Sequence, residues 1–177
     1  MRLFHHVLMI TAPSTANDDY ELRFWQMEVP QVAFSHDFVM EGLLAVAALH
    51  IAHLEPTRRA EWARTALTYQ LTATSGLREN LNNSPGDHLK AKFIGSALIL
   101  LLVTAYPGIC GDSDTGQERA EHEYTLNTVQ TIRSALEGCG LLFMQVYHSR
   151  HRSSVDYFVH WHRISRPKAS ASDDQYR

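Results

Sequence analysis

Histidine is the residue type whose number and spacing first suggest chemistry in this chain of 177 residues, 11 of which are histidine. His50 and His53 are three positions apart, so a helix would place both imidazoles on one face, a spacing that can hold two metal ligands. A metal site also needs a third ligand and a carboxylate that orients the imidazoles, and neither stands nearby. No His-Glu-x-x-His pattern occurs. We interpret the pair as histidines near the polar end of a core helix and predict no metal site; a metal-dependent enzyme is our third-ranked hypothesis.

A second group of histidines lies near the C-terminus among basic residues. It consists of His148, His151, His160 and His162, with Arg150, Arg152, Arg163, Arg166 and Lys168 around them. Such a group could form a basic patch for an anionic partner. Because the segment is short and not periodic, we favour a positively charged, loosely ordered tail.

The sequence lacks the other common catalytic patterns. Its two cysteines, Cys110 and Cys139, are too few for a disulfide framework or for a zinc site built from four thiolates. Its glycines form neither a phosphate-binding loop nor a nucleophile elbow. We therefore predict that the chain is not an enzyme, has no catalytic residues and uses no cofactor.

Composition indicates a globular chain that does not bind nucleic acid directly. Hydrophobic residues make up 45% and charged residues 20%, and the formal net charge is −3, whereas direct DNA binding favours a basic surface. The most apolar stretch, Phe93 to Tyr106, is shorter than the roughly 20 residues that a membrane span needs. No secretory signal is evident. We expect a soluble, reduced, intracellular protein without a membrane span.

Five segments have the periodicity or the boundary residues of helices. They are 18–27, 38–54, 57–82, 84–106 and 117–137. The second is apolar on nearly every side, which is typical of a central core helix, and its glycine and alanines allow neighbours to pack close. In the first, Tyr20, Phe24 and Met27 are predicted to share one face, and Pro30 is predicted to end or kink the helix. Pro107 and Gly108 are predicted to end the fourth.

These segments predict an all-α fold, a helical bundle or array of about five to seven helices. Residues after Gly140 do not distinguish strand from helix. We divide the chain into an all-α domain over 1–140, a poorly matched extension over 141–164 and a disordered tail over 165–177.

Apolar residues exceed what two faces of a small bundle must cover. They are Phe34, Phe38, Leu43, Leu44, Phe93, Leu98, Leu101 and Leu102. They either fill the core or line a cavity between helices, which is a common place for apolar ligands. Periodicity does not separate the two interpretations.

The first half of the chain contains two long strings, Trp25–Phe38 and Gly42–Ala52, that follow a known pattern. They resemble fungal zinc-cluster transcription factors, and more narrowly the regulatory domain of the sterol uptake control type. Shorter elements that are similar to the same pattern are Leu3–Val7 with Thr11, Tyr69–Thr72 and Phe93–Ile99. The likeness covers residues 3–106, and Asp37 stands where the family has proline.

The resemblance implies that the domain over 1–140 is regulatory and binds a sterol or another apolar small molecule in a helical pocket. It also implies control of RNA polymerase II transcription through a DNA-binding module of six cysteines, which this chain does not contain. For the pocket wall we propose seven residues, chosen on this hypothesis. They are Phe34, Phe38, Leu43, Ala47, Phe93, Ala97 and Leu101.

The alternative function is a truncated helical interaction module without ligand and without DNA binding. It would form a homodimer, or a heterodimer with a full-length regulator. Either function implies a location in the nucleus and cytoplasm. Because the likeness fades after Pro107, the chain is expected to be either a fragment with an incomplete or misread end, or a diverged short paralogue.

Overall fold

The structure, a computed structural model, describes residues 2–83, 88–110, 130, 133–134, 136–142 and 144–145. Helix α1 consists of Arg2–His6, Val7–Thr11 and Ala12–Thr15, and helix α2 of Asp19–Arg23, Phe24–Glu28 and Val29–Ala33. Helix α3 is Asp37–Leu54, and a 3-10 turn over Pro56–Arg58 leads into α4, Arg59–Asn83; helix α5 is Leu89–Cys110. Residues 136–142 are also helical, and the described residues contain no strand. The prediction of an all-α fold is confirmed.

Helix α3 is the centre of the fold. Its small side chains let other helices come close: Ala45, Ala47 and Ala48 are completely buried, and Gly42 lies against Leu98 of α5. Helix α3 packs against α1, α2, α4 and α5. The apolar character on every side of this segment therefore reflects its position inside the domain, as the sequence predicts.

Phe38 joins three helices at the start of α3. Its ring is 5% exposed and lies between Gly76 of α4 and Gly95 of α5. A Cβ atom added at Gly76 would be 2.9 Å from the Cβ of Phe38, and one added at Gly95 would be 2.7 Å from its Cε2. Both glycines are therefore needed for the close approach of this ring.

Helices α1 and α2 share an unusual feature, which is a π-helical stretch that ends two residues before a proline. The stretches are Val7–Thr11 and Phe24–Glu28, and the prolines are Pro13 and Pro30. The sequence predicts that Pro30 ends or kinks the helix. In the structure the helix instead widens into a π turn just before Pro30 and continues to Ala33. A π stretch is a known way to fit an irregularity into a helix without ending it.

A side chain replaces the hydrogen bond that Pro13 cannot donate. At the end of the first π stretch, the N–H of Ala12 donates to the carbonyl of Val7, five residues earlier. By the same pattern Leu8 O would accept from position 13, where proline has no N–H. Gln26 Nε2, from the π stretch of α2, donates to Leu8 O at 2.8 Å. This bond joins the two irregular turns.

Helix α5 also continues past a proline. Pro107 lies inside Leu89–Cys110, so the expected end of the helix at Pro107 and Gly108 is wrong by two residues. A proline removes one backbone hydrogen bond. Among the described residues of α5, about one turn follows Pro107. The missing hydrogen bond therefore affects only the last described turn.

Two described helices are long and apolar enough to cross a membrane by length and composition alone. They are α3 and Leu89–Ile109 within α5. In α3, 61% of the apolar 18-residue stretch is buried inside the protein, and in α5 the buried share is 33%. The core helix of a soluble protein meets the same criterion, so these features do not assign a membrane span.

The contacts of Phe38 predict opposite effects of one substitution at two positions of α5. Alanine favours a helix over glycine by about 1 kcal/mol. At Gly95 the added methyl group overlaps the Phe38 ring, and overpacking costs about 1–3 kcal/mol, so we expect Gly95→Ala to lower the free energy of unfolding. At Gly108, where no atom of the described residues lies within 4 Å of an added Cβ, the same change should raise the free energy of unfolding. Urea unfolding measures both, and two shifts of the same sign would contradict the packing described for Phe38.

Candidate functional site

An apolar cavity of about 570 Å³ lies between α2 and α5. Its apolar lining residues are Phe24, Trp25, Val29, Ile94, Ala97, Leu98, Leu100, Leu101 and Leu136. Its polar lining residues are Thr15, Asn17, Glu21 and Thr104. Thr15, Asn17 and Glu21 follow one another at spacings of two and four residues around the start of α2. The cavity therefore has an apolar body with polar groups where α2 begins.

Helical periodicity explains the wall that α5 provides. Ile94, Ala97, Leu98 and Leu101 follow one another at spacings of three, one and three residues, which places them on one face of a helix. Thr104 continues this face by three residues. The wall begins directly beside Gly95, where Phe38 sets the distance between α3 and α5.

The π stretch determines which residues of α2 face the cavity. Phe24 and Val29, five residues apart, are buried and line it. The sequence pattern predicts an inward face of Tyr20, Phe24 and Met27 instead, but Tyr20 is 44% exposed and Met27 is 62% exposed. These two residues therefore do not share a buried face with Phe24. Met27 lies inside the π stretch, where a turn contains more residues than an α turn and positions are rotated. Tyr20 precedes the stretch, so this rotation does not account for its exposure.

Asn17 and Glu21 form the polar end of the cavity. Asp18 caps α2, since its Oδ1 accepts a hydrogen bond from the N–H of Glu21 at 2.7 Å. The Glu21 carboxylate turns back, and its Oε2 accepts from the backbone N–H of Asn17 at 2.7 Å and from Asn17 Nδ2 at 2.9 Å. Glu21 is 5% exposed. The helix start is therefore held by reciprocal bonds that resemble a capping box.

The two threonines at the cavity direct their hydroxyl groups to their own helices. Thr15 Oγ1 donates to Thr11 O at 2.9 Å or to Ala12 O at 3.2 Å. Thr104 Oγ1 donates to Leu100 O at 2.9 Å or to Leu101 O at 3.0 Å. Their hydroxyl hydrogens are thus already used in backbone hydrogen bonds.

Of the seven residues proposed for a ligand pocket, Ala97 and Leu101 line this cavity. Leu43 lies behind it, at a void of about 10 Å³ that Leu101 and Trp25 also border. Such a void has room for no more than about one water molecule. The structure therefore brings three of the seven residues to one region.

The other four residues lie elsewhere. Phe38 is enclosed at the helix junction, Ala47 is completely buried in α3, and Phe93 is 4% exposed. Phe34 is 71% exposed, with its ring centroid 5.3 Å from that of Phe4. Sequence reasoning did not select Phe24, Trp25, Val29 or Ile94. The apolar character of these residues was visible, but their orientation depends on the π turn and on packing.

A second hollow, of about 420 Å³, lies between the ends of α4 and α5 and the helical residues 136–142. It is lined by Leu77, Leu81, Ser96, Ile99, Gly138, Cys139, Leu141, Leu142 and Gln145. Burial raises the pKa of the Cys139 thiol, and a hydrogen bond with Ser96 partly opposes this shift. A raised pKa keeps the thiol protonated and weakens it as a nucleophile. The side chain of Cys110 lies outside the described residues.

The two histidines of α3 have different surroundings. His50 Nδ1 forms a hydrogen bond with Thr11 Oγ1 at 2.9 Å, and its ring centroid is 5.3 Å from that of His6. His53 is exposed. Burial lowers the pKa of His50, and the neighbouring His53 lowers it further. His50 therefore connects α3 to α1, which is a structural role.

Metal binding has no support in the described residues, where no group of three or more His, Cys, Asp and Glu side chains could hold an ion. The second histidine group, over 148–162, lies outside the described residues, as does the expected tail over 165–177.

The fold and the cavity define an all-α domain with an apolar cavity between two helices. Residues 2–171 match the family described as the fungal specific transcription factor domain. The chain belongs to this family. The matched range extends past residues 3–106, on which the resemblance in the sequence was based.

Two curated relatives support the same assignment. The chain is 28% identical over 110 residues to a Zn(2)-C6 fungal-type transcription factor of Gibberella zeae, covering 59% of this chain and 22% of the relative. It is 27% identical over 100 residues to Sterol uptake control protein 2 of Candida albicans, covering 56% of this chain and 13% of the relative. The chain thus corresponds to less than a quarter of either relative. No solved structure gives a significant match.

Membership of this family relates the chain to fungal regulators of transcription, which is a nuclear function. The predicted relation to fungal zinc-cluster transcription factors is confirmed.

Three partly buried histidines predict that the domain loses stability in mild acid. Burial is the largest cause that lowers the pKa of His6, His36 and His50. The unfolded chain then binds more protons once the pH falls below about 6.5, so the free energy of unfolding is fully retained above that pH and decreases below it. Urea unfolding between about pH 7 and pH 5 measures the loss.

A matched pair of variants assigns part of that loss to His50. His50→Gln removes one partly buried imidazole and should make the decrease in stability shallower. His53→Gln changes an exposed imidazole three residues away that only adds to the lowered pKa of His50, so it should make the decrease shallower by a smaller amount. Equal slopes in His50→Gln and in the unmodified protein would contradict the assignment.

Proposed function

We propose that this chain is a ligand-sensing regulatory domain that responds to a sterol. It controls RNA polymerase II transcription through a DNA-binding module that is not part of this sequence, and it acts in the nucleus and cytoplasm. The observation that carries the proposal is the cavity between α2 and α5. The name of the Candida albicans relative, Sterol uptake control protein 2, supports sterols as the class of ligand.

The size and the lining of the cavity suit a rigid apolar molecule. Its volume of about 570 Å³ lies within the range of about 300–1,000 Å³ that is usual for small-molecule sites. Of the thirteen described residues that line it, nine are apolar. Ala97 and Leu101 are the proposed wall residues that lie in it, and we add Phe24, Trp25 and Val29 from the opposite wall.

Occupancy would act by stabilising one arrangement of α2 against α5. A ligand shifts a conformational equilibrium only if it binds one state more tightly than the other. A molecule between α2 and α5 contacts both walls at once, so it favours the state in which they face each other. Because Gln26 of α2 also bonds to Leu8 of α1, the effect would extend to the N-terminal helix.

Thermal denaturation tests the proposal. With ergosterol at about 100 times its dissociation constant, the domain should gain about 2.7 kcal/mol, which raises Tm by about 5–10 °C. Ala97→Phe fills the cavity and should abolish the shift. Ala60→Phe places the same side chain at an exposed position of α4 and should leave the shift unchanged. An unchanged Tm of the unmodified protein across a panel of sterols would refute the proposal.

Exposed leucines favour the second candidate function, a helical interaction module without ligand. Leu67 and Leu71 of α4 are 39% and 70% exposed and are four residues apart, so they lie on one helix face. Such a module would pair with itself or with a full-length regulator.

Light scattering after size-exclusion chromatography measures the mass of the chain in solution and so tests self-association. We expect a dimer that the Leu71→Gln substitution converts to a monomer. A monomeric unmodified chain would contradict self-pairing.

A further inference from the structure

The polar groups at the cavity differ in what they can still bind. Thr15 and Thr104 use their hydroxyl hydrogens for carbonyl groups of their own helices, and Asn17 donates its side-chain N–H to Glu21. The Glu21 carboxylate is different, because an ionised carboxylate has acceptor positions for about four hydrogen bonds. Within the described residues, both hydrogen bonds of its side chain end on one oxygen atom, Oε2.

Glu21 is more deeply buried than a residue needs to be in order to cap the start of a helix. Its bonds to Asn17 hold the first turn of α2, but a residue at this position of a capping box does this equally well when it is exposed to water. Glu21 is nevertheless 5% exposed and borders an apolar cavity. Its two hydrogen bonds both end on Oε2, and no described residue donates to Oε1, so a hydrogen-bond donor inside the cavity would complete its surroundings.

We propose that Glu21 accepts a hydrogen bond from the hydroxyl group of the ligand, so that the cavity selects apolar molecules that carry one terminal hydroxyl group. This inference depends on the proposed ligand-binding function and adds the chemical class of the ligand. Asn17 positions the carboxylate by its two bonds to Oε2, which leaves Oε1 as the acceptor. The apolar body of the ligand lies between Trp25 and Ala97.

Selection follows from the charge of the carboxylate. A hydroxyl group donates a charge-assisted hydrogen bond to it, and such bonds are about twice as strong as neutral ones. A ketone or an ether at the same place has no hydrogen to donate and directs its lone pairs at the carboxylate. It leaves a buried acceptor without a donor, which is the situation that polar sites reject most strongly.

Fluorescence titration of the full chain with dehydroergosterol, its 3-keto analogue and its 3-methyl ether tests the inference. The unmodified protein should bind the alcohol about 10- to 100-fold more tightly than either analogue. If the alcohol and both analogues bind equally, this inference is refuted and the proposed sterol binding stands. If none of the three binds, the proposed function is refuted, and this inference with it.

Glu21→Gln separates recognition from a structural role. The amide has the same size and can still accept from Asn17, but it loses the charge and gains an N–H group that can donate to a ketone. We expect weaker binding of the alcohol, stronger binding of the ketone and a preference between them at least about fivefold smaller. A merely structural defect would weaken both ligands equally, and that result would refute the inference.

Glu28→Gln is the matched control on the same helix. Glu28 is an exposed carboxylate that pairs with Lys90 and does not line the cavity, so the same change there should leave the ratio of alcohol to ketone affinity unchanged. A change in that ratio as large as the one in Glu21→Gln would show that selectivity does not depend on the Glu21 carboxylate. Because the titration of the unmodified chain is decisive alone, a variant that does not fold leaves the test valid.

Discussion

The contact of Phe38 with two glycines sets the spacing on which the rest of the domain depends. The ring lies between Gly76 and Gly95, and it holds α4 and α5 at fixed distances from α3. Protein interiors are close-packed, so such a contact cannot loosen without shifting the helices around it. The face of α5 that lines the cavity begins at Ile94, the neighbour of Gly95. One wall of the candidate site is therefore positioned by a contact that belongs to the core.

The opposite wall depends on the irregular turns of α1 and α2. Each turn widens before a proline, and Gln26 supplies the donor that Pro13 lacks. The second turn brings Phe24 and Val29 to the cavity, five residues apart. Irregular π turns are frequent at functional sites. Here the irregularity accommodates proline and orients the wall of the cavity at the same time.

The family assignment gives this geometry its biological setting. The chain belongs to the fungal specific transcription factor domain family, and it spans 22% and 13% of the two relatives compared. Two cysteines cannot form the six-cysteine module that the resemblance associates with DNA binding. What the chain does contain is a cavity with an apolar body and a carboxylate at one end, on which the proposed ligand-sensing function is based.

The sequence by itself determined the helical class, the central position of α3 and the family, because these depend on periodicity and on strings of neighbouring residues. It also placed Ala97 and Leu101 among the ligand-binding candidates, and both line the cavity. Only the tertiary structure decided that Phe38 belongs to a helix junction and that Glu21 borders the cavity. Such decisions depend on which helices meet and on how far a π turn rotates a face. These are contacts between residues distant in sequence, and local periodicity does not contain them.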